Sequence, residues 1–550
     1  MILFIIDYVR ENNKINPFTI TVEETANFLG VSNATVYNWI KTKYLKQTEV
    51  GKITLGSLNR FRTDIFAKEK LNQRANKSLK DSHDHDKTAS VFLERIKSSI
   101  YLPDNIGIEY EKSLSDSYRN KEGIYYTPDQ VVRDLFSEEE GDIQDASLCD
   151  PCCGSGNFII RAINLGFKPE NVYGYDVDPV AVEMTKKRIY ELTGYKSKNI
   201  KWASFLDVSI DQDPPIFDCI YTNPPWGKKI AKKKRESIGL RLGAGHSLDT
   251  CSLFFFACLK CLKTNGLLGL LLPESFFNIA VFEDARIKAL KLSIERLIDY
   301  GKVFDGLVTK AQAIVLRNKL AEPSLRVSCQ TKKSSHQREI NSFLGNPKSI
   351  LNMYCNDKEA LTLQYLMSKP FITLKNQAFW GLGIVTGNNK KFIKNKPEEG
   401  DVPVYKGADV FPDKLKEASS FISSDMSLYQ QVAPLHLYEA REKLIYKFIS
   451  SKLCFFYDDK QKYILNSANM LIPNDSFPIS TKVLGELLSS NFMNWMFSRI
   501  FCTHKILRGD LELLPIYSQF LRGVSVFDEK TYIEQLNIKR EVDGAYRIKR

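Results

Sequence analysis

Long apolar runs are what the sequence most plainly lacks. No stretch approaches the ~18 consecutive apolar residues that a membrane-spanning helix needs. The longest candidate, Leu267 to Pro273, has the length of a strand. The opening MILFIIDYVRENN is a short apolar run met at once by charge, without a basic leader or a small-residue cleavage site, so no signal peptide is expected. Histidine is scarce: the six in the chain form no cluster, and no metal site is expected from them. The eleven cysteines are an odd number and sit mostly in apolar runs, which fits free thiols in a reducing cytoplasm and not a disulfide framework. Two Cys-x-x-Cys spacings, Cys149/Cys152 and Cys258/Cys261, fall in a Gly-rich turn and in an apolar helical run. Neither has the matched second pair that a zinc site wants.

What remains is an ordinary globular composition, 43% hydrophobic and 26% charged, over 550 residues. That length exceeds one core and predicts several domains. The formal net charge of +12 suits a polyanionic partner.

The segment TVEETANFLGVSNATVYNWIKTKYL, residues 21–45, reads as helix, turn, helix. Thr21 is placed to cap the first helix with Glu24 at the capping-box position. Ala26, Leu29, Val31, Val36 and Trp39 would share a small core, with Gly30 at the turn. The segment resembles the helix-turn-helix of excisionase-like and winged regulators, with a wing expected over Gly51 to Phe61. It would bind DNA or, since its second helix is not strongly basic, a protein partner. Residues 68–90 are polar and without an apolar face, as a linker would be. The helical pattern resumes from Phe92 to Tyr118.

Between residues 120 and 320 strand-like runs alternate with helical ones. Strands are expected at Ala146–Cys149, Asn171–Tyr175, Phe217–Thr222, Gly266–Leu272 and Ile294–Tyr300, with helices such as Pro179–Leu192 and Leu253–Leu262 between them. That alternation predicts an α/β parallel sheet. Three constellations lie on it. Asp150-Pro151-Cys152-Cys153-Gly154-Ser155-Gly156-Asn157-Phe158 follows the first strand, where Gly154 and Gly156 let backbone approach a ligand and the helix N-terminus offers free N–H groups. Asp176 ends the next strand, where an acidic side chain can accept from a ribose diol. Asn223-Pro224-Pro225-Trp226 ends a third, and open α/β sheets bind ligands at such carboxyl ends.

The chemistry of that last tetrapeptide can be argued directly. An aromatic amine is a poor nucleophile because its lone pair is delocalised into the ring. Two acceptors aimed at its N–H bonds, the Asn223 side-chain carbonyl and the Pro224 backbone carbonyl, would restore the lone pair. Pro224 and Pro225 stiffen the loop, and Trp226 offers a face on which an extruded base can stack.

The order of motifs resembles the gamma class of N6-adenine DNA methyltransferases, in which a Tyr-Thr-Pro motif precedes the Gly-rich turn and the Asn-Pro-Pro-aromatic loop. Here Gly123-Ile124-Tyr125-Tyr126-Thr127-Pro128 comes first. The resemblance implies a Rossmann-like, S-adenosyl-L-methionine-dependent domain. In it Tyr126 and Thr127 would meet the methionine end of the cofactor, Asp150 its amino end, and Asp176 its ribose. It implies an acceptor for the cofactor's adenine at Ser204 or Asp207, where many members carry an aspartate at the matching position. It also implies an aromatic beside the target base at Phe304, with core packing an equal reading. The run GKKIAKKKRES places Lys228, Lys229, Lys232, Lys233, Lys234 and Arg235 beside the loop, as phosphate contacts or as a solvated face.

Residues 379–411 resemble the recognition domain of TaqI-type methyltransferases through Gly383, Thr386, Gly387, Asn389, Phe392, Gly407 and Asp409. Further agreement lies in Ala440–Tyr446, Leu487–Asn491 and Leu514–Ile516. Thr386 and Asn389 are the DNA-binding candidates there. The expected division is a helix-turn-helix module at 1–70, a polar linker and helix at 71–105, the catalytic domain at 106–340 and a mixed α/β recognition domain at 345–550.

The implied activity is methylation of adenine N6 in double-stranded DNA by base flipping, in a prokaryotic cytoplasm at the nucleoid, with a companion endonuclease as a possible partner. Asn-Pro-Pro-aromatic loops also serve enzymes that methylate RNA or protein amides, and a regulator with an inactive methyltransferase fold is a further alternative. A fused nuclease is not expected, because only about 120 residues precede the Tyr-Thr-Pro motif and no carboxylate–lysine core is found in them.

Overall fold

The computed structural model describes residues 19–41, 44–49, 51–62, 88–103, 105–136, 143–305, 307–332, 334–503 and 505–549. The apolar start and the polar linker up to residue 87 lie outside the described residues.

At the N-terminus, helices Val22–Leu29 and Asn33–Lys41 pack on a three-stranded antiparallel sheet of β1 (Thr19–Thr21), β2 (Gln47–Glu49) and β3 (Lys52–Thr54), in the order β1-β3-β2. The capping box is formed: the Thr21 hydroxyl accepts from Glu24 N at 3.1 Å, and the Glu24 carboxylate accepts from Thr21 N at 2.9 Å. Gly30 takes the left-handed conformation that ends the first helix, at φ 65°. Ala26, Leu29, Val36 and Trp39 are buried as expected, with Val31 packed against them. Only the first part of the expected wing is a hairpin. Gly51 turns β2 into β3, and the chain then coils into the helix Leu55–Arg60, which seats Phe61 4.8 Å from the Trp39 ring.

The central sheet contains β4 (Leu148–Asp150), β5 (Val172–Asp176), β6 (Ile200–Trp202), β7 (Phe217–Thr222), β8 (Leu262–Pro273), β9 (Leu292–Gly301), β10 (Ala311–Leu320), β11 (Arg326–Thr331) and β12 (Ser335–Glu339). Its order is β12-β11-β9-β10-β8-β7-β4-β5-β6. From β8 to β6 every neighbour is parallel, but β10 runs antiparallel to both β8 and β9. The sheet is therefore mixed, not parallel throughout. The short loop 302–310 between β9 and β10 leaves no room for a crossover helix, so the chain must turn back on itself. Helix Thr250–Lys260 carries a wall of Phe254, Phe255 and Phe256 onto one face, and helix Asn157–Leu165 packs Phe158 and Ile159 onto the other. The chain leaves β4 toward β5 and β6, then returns to β7 on its other side. This reversal opens a crevice between the carboxyl ends of β4 and β7.

The C-terminal part holds a four-stranded antiparallel sheet, β13-β19-β16-β17, of β13 (Ala378–Leu382), β16 (Lys443–Lys447), β17 (Phe455–Asp458) and β19 (Ala468–Pro473). Beside it lies a smaller one, β15-β14-β18, of β14 (Asp401–Tyr405), β15 (Phe421–Ser423) and β18 (Tyr463–Ile464). Gly383 and Gly407 both lie hard against the segment 465–468: an added Cβ would come within 2.2 Å of the Leu465 carbonyl oxygen and 2.3 Å of that of Ser467. Ile350 and Cys355 belong to this C-terminal core, while Leu351 and Met353 between them pack into the core of the central sheet. The C-terminal core is tied to the segment that follows the central sheet by Lys348 Nζ on Asp510 at 2.6 Å and by Asn352 Nδ2 donating to the Arg499 carbonyl at 2.8 Å. Among the described residues no helix is long and apolar enough to cross a membrane, and no group of side chains is arranged to hold a metal ion.

Candidate active site

The crevice is a cavity of about 450 Å³. Its wall includes Tyr126, Pro151, Cys152, Gly154, Asp176, Ser204, Asn223 and Pro225, so the three sequence motifs, separated by up to about a hundred residues, meet in one place.

The turn after β4 is built by backbone bonds to carboxylates. Asp150, fully buried, accepts from Cys152 N at 3.1 Å through Oδ1, and its Oδ2 is buried without a hydrogen-bond partner. Asp176 accepts from Gly154 N and from Asp178 N, each at 2.9 Å. Gly154 needs to be glycine twice over: its φ is +50°, and a Cβ would lie 2.7 Å from the Tyr126 ring. Gly156 starts helix Asn157–Leu165 without a side-chain cap, just behind the wall that Gly154 lines. Asp178, which the motif reading passed over, lines the same cavity, caps helix Pro179–Thr193 through Val180 N at 2.8 Å and accepts the Tyr110 hydroxyl at 2.8 Å. Its signal was in the sequence as an acidic residue directly before a helix-starting proline.

Desolvation pushes the Asp150 carboxyl up to about 7, against the pull of the Thr222 hydroxyl and the Cys152 N–H. It pushes Asp176 up to about 6, against the Asp178 and Gly154 N–H groups. Both carboxyls hold protons in the folded chain at pH values where they are ionised in the unfolded one. Each thus contributes stability below its ordinary value of 3.8 that is lost as pH rises through about 6 and about 7. A cationic or hydroxyl-bearing ligand would relieve that strain.

The loop after β7 is clamped from both sides. Asn223 donates through Nδ2 to the Tyr125 carbonyl at 3.0 Å, which leaves Oδ1 buried and without a partner. Behind the loop, the Pro225 carbonyl takes a weak bond from Cys251 Sγ at 3.7 Å, and the Thr250 hydroxyl donates to the Lys228 carbonyl at 2.6 Å. In front of it, Gly123 stands so close that a Cβ there would meet Trp226 N at 2.8 Å. Trp226 meets Phe304 edge-on, with ring centroids 5.2 Å apart, and Tyr125 reaches the same ring at 5.7 Å. Phe304 is therefore both a buried core residue and a neighbour of the loop.

Of the two residues considered for the cofactor's adenine, only Ser204 lines the cavity. Asp207 is exposed and paired with Lys234 at 2.8 Å. Thr127 is buried, and its carbonyl accepts from Asn157 Nδ2 at 2.9 Å, tying the Tyr-Thr-Pro segment to the Gly-rich turn. The basic run divides. Lys228 pairs with Glu122 at 2.9 Å, Lys234 with Asp207, and Lys232 lies 3.9 Å from Glu236. Lys229 and Lys233 are exposed with no ion pair among the described residues, and Arg235 is half-buried. In the C-terminal part Thr386 is buried and donates its hydroxyl to the Asn389 side chain at 2.6 Å, closing a turn that leaves Asn389 exposed.

The N-6 DNA Methylase family matches residues 102–339, a TaqI-like C-terminal specificity domain matches 402–516, and a helix-turn-helix domain matches 19–65. The Type II methyltransferase M.VspI of Vibrio sp. (strain 343) is 45% identical over 391 residues, covering 71% of this chain and 96% of that protein. The Type II methyltransferase M.CvrRI of Paramecium bursaria Chlorella virus XZ-6E is 27% identical over 172 residues, covering 31% of this chain and 41% of that protein. A solved Type IIL restriction-modification enzyme, MmeI, in complex with DNA superposes with a TM-score of 0.49 at 12% identity over 75% of this chain and 70% of that one.

Proposed function

The chain belongs to the type II methyltransferases with an N-6 DNA methylase domain, and on that premise we propose that it methylates N6 of adenine in double-stranded DNA, using S-adenosyl-L-methionine, as the modification enzyme of a restriction-modification system. The observation that carries this reading is the Asn223 side chain. Its nitrogen is engaged by Tyr125, and its carbonyl oxygen is buried, unpartnered and on the wall of the cavity.

The residues present suit the cofactor. The cavity has the volume of a small-molecule site. Gly154 lines the cavity and lets the Tyr126 ring close onto the turn where a Cβ would stand, the uncapped start of helix Asn157–Leu165 would receive a carboxylate, and Asp176 would accept from a ribose diol. Asp150, with Oδ2 unpartnered one residue behind the wall, would hold the amino end, and Ser204 rather than Asp207 would face the adenine. Tyr126 and Thr127 close the methionine end. When bound, S-adenosyl-L-methionine supplies an electrophilic sulfonium methyl. Asn223 Oδ1 and the Pro224 carbonyl accept the two N–H bonds of the target amine and draw its nitrogen toward sp³. Trp226, with Phe304 at its edge, receives the extruded base. Positioning and oriented dipoles carry the rate.

DNA is held on the other side by the C-terminal domain, whose likeness is to a specificity domain, with Thr386 setting the turn that presents Asn389. Lys229 and Lys233 are the members of the basic run free to meet phosphates, with Arg235 behind them. Lys228, Lys232 and Lys234 are held by carboxylates in this state. The working division remains 1–70, 71–105, 106–340 and 345–550, with the helix-turn-helix as an added DNA or partner contact and an endonuclease as a companion. A radiolabel assay offering DNA, RNA and protein side by side tests the reading. Label is expected in DNA, and long-read sequencing of DNA from cells expressing the gene should show N6-methyladenine at one motif. Label confined to RNA or protein overturns it.

The two raised carboxyls add a prediction. Both must be ionised to serve the cofactor, so binding releases protons. Affinity for S-adenosylhomocysteine should weaken as the solution is taken from about pH 8 to about pH 5, most steeply through the range of the two shifted groups. Isothermal titration calorimetry in two buffers of different ionisation enthalpy reads both the affinity and the protons released. A pH-independent affinity with no proton release contradicts the assignment.

A further inference from the structure

The peptide unit joining Tyr125 and Tyr126 carries two bonds at once. Its carbonyl accepts from Asn223 Nδ2 at 3.0 Å, and its N–H donates to Glu111 Oε2 at 3.0 Å. The other Glu111 oxygen takes the Arg119 guanidinium at 3.0 Å, and both side chains are largely buried, 14% and 15% exposed. A continuous hydrogen-bonded chain thus runs from Arg119 through the Glu111 carboxylate and one peptide unit to the Asn223 amide, whose oxygen is buried without a partner. None of the sequence motifs contains Glu111, which sits on helix Ile106–Ser113.

We propose that Glu111 is a positioning residue for the transfer reaction, acting through the Tyr125–Tyr126 peptide on Asn223. A carboxylate at a peptide N–H draws the peptide toward its charge-separated form and makes its carbonyl a stronger acceptor. That carbonyl then binds the Asn223 NH₂ more tightly, which makes Oδ1 more negative in turn. Bonds in series polarise one another in a low-dielectric interior. The same chain fixes orientation. With Nδ2 committed to Tyr125, the asparagine amide cannot turn over and present its NH₂ to the target amine, which would oppose two donors. Burial pushes the Glu111 carboxyl above its ordinary value, and the Tyr126 N–H and the Arg119 guanidinium pull against that shift and aim the group. The Asp116–Glu122 helix that bears Arg119 ends at Gly123, in contact with the Trp226 backbone. The support is thus delivered to both ends of the catalytic loop.

The inference rests on the proposed transfer reaction. The test is single-turnover transfer of radiolabelled methyl from S-adenosyl-L-methionine to unmodified plasmid DNA by the full chain, its Glu111→Gln variant and its Arg119→Met variant, with S-adenosylhomocysteine affinity and thermal unfolding measured on each. Glu111→Gln keeps an acceptor for Tyr126 N but removes the charge. The rate constant is expected to fall roughly 10- to 100-fold with S-adenosylhomocysteine affinity unmoved, and the unfolding temperature is expected to fall only slightly, because Arg119 keeps Asp116 as a partner. Arg119→Met should lower the rate in the same direction, and the double variant should be no slower than Glu111→Gln alone, because both act on one chain. A wild-type rate in Glu111→Gln overturns the proposal. So does a loss of cofactor affinity as large as the loss of rate, which would make Glu111 a support of the cofactor cradle through Tyr126. If Glu111→Gln does not fold, Arg119→Met decides by the same two readings. If the unaltered chain transfers no methyl to DNA, the functional reading itself has failed, an outcome distinct from a wild-type rate in the variant.

Discussion

Asn223→Ala is expected to abolish methyl transfer, lowering the single-turnover rate at least roughly 10²- to 10³-fold, while S-adenosylhomocysteine still binds. The asymmetry follows from where the side chain sits. Its oxygen is the acceptor that has no partner until an amine arrives, so its removal is felt in the transition state, when the amine nitrogen becomes tetrahedral and its N–H bonds most need acceptors. In the proposed reading the cofactor would be held by other groups, at the Gly154 turn, Asp176 and the uncapped helix end. The Tyr125 carbonyl loses its donor in the variant, but it remains in a peptide anchored on its N–H side by Glu111. Fluorescence or calorimetric titration with S-adenosylhomocysteine separates the two effects. Wild-type turnover by this variant would sink the assignment of the loop, and lost cofactor affinity would move Asn223 from chemistry to binding.

The centre of this site was legible because each piece is local. A capping box, a Gly-rich turn opening a helix, an acidic strand end and an Asn-Pro-Pro-aromatic loop are written in consecutive residues, and the structure brings the last three to one cavity. The supports were not legible, for the opposite reason. Glu111 reaches Tyr126 from another helix, and nothing in its own neighbourhood marks it. Lys234 reads as a DNA contact and Asp207 as an alternative to Ser204 for the cofactor's adenine, and nothing in the sequence joins the two, yet they lie 2.8 Å apart across residues that the sequence keeps apart. The mixed sheet escaped for a third reason. Ala311 to Leu316 of β10 are buried without alternation, and a strand covered on both faces carries no mark of its direction. Only the short 302–310 loop dictates the reversal.

The second large effect is expected far from the chemistry, at Lys443→Met. Lys443 on β16 stands directly opposite Asp458 on β17, 2.8 Å away, at 0% and 1% exposure. The lysine also donates to the Tyr438 carbonyl at 2.6 Å, while Asp458 accepts from Lys460 N at 2.9 Å and Lys462 N at 2.8 Å. Burial pulls the Lys443 ammonium below its ordinary value, so the carboxylate beside it is what keeps it charged. Methionine matches the length of the lysine stem but leaves Asp458 a buried, uncompensated charge, a change worth about 3–5 kcal/mol. Its consequence reaches the recognition loop. Asp458 sets the turn that leads into β18, and the Ile464 carbonyl there accepts from Ile384 N at 2.8 Å, holding the segment that carries Thr386 and Asn389. Amide hydrogen exchange of β16, β17 and β19 should accelerate by roughly two to three orders of magnitude, and DNA affinity should fall while S-adenosylhomocysteine affinity holds. Adding Asp458→Asn to Lys443→Met removes the stranded charge but keeps an acceptor for only one of the two turn N–H groups, so the double variant should recover part of the protection. Unchanged exchange in the single variant, or a double variant no better than the single, would show that packing and not the ion pair holds this sheet together.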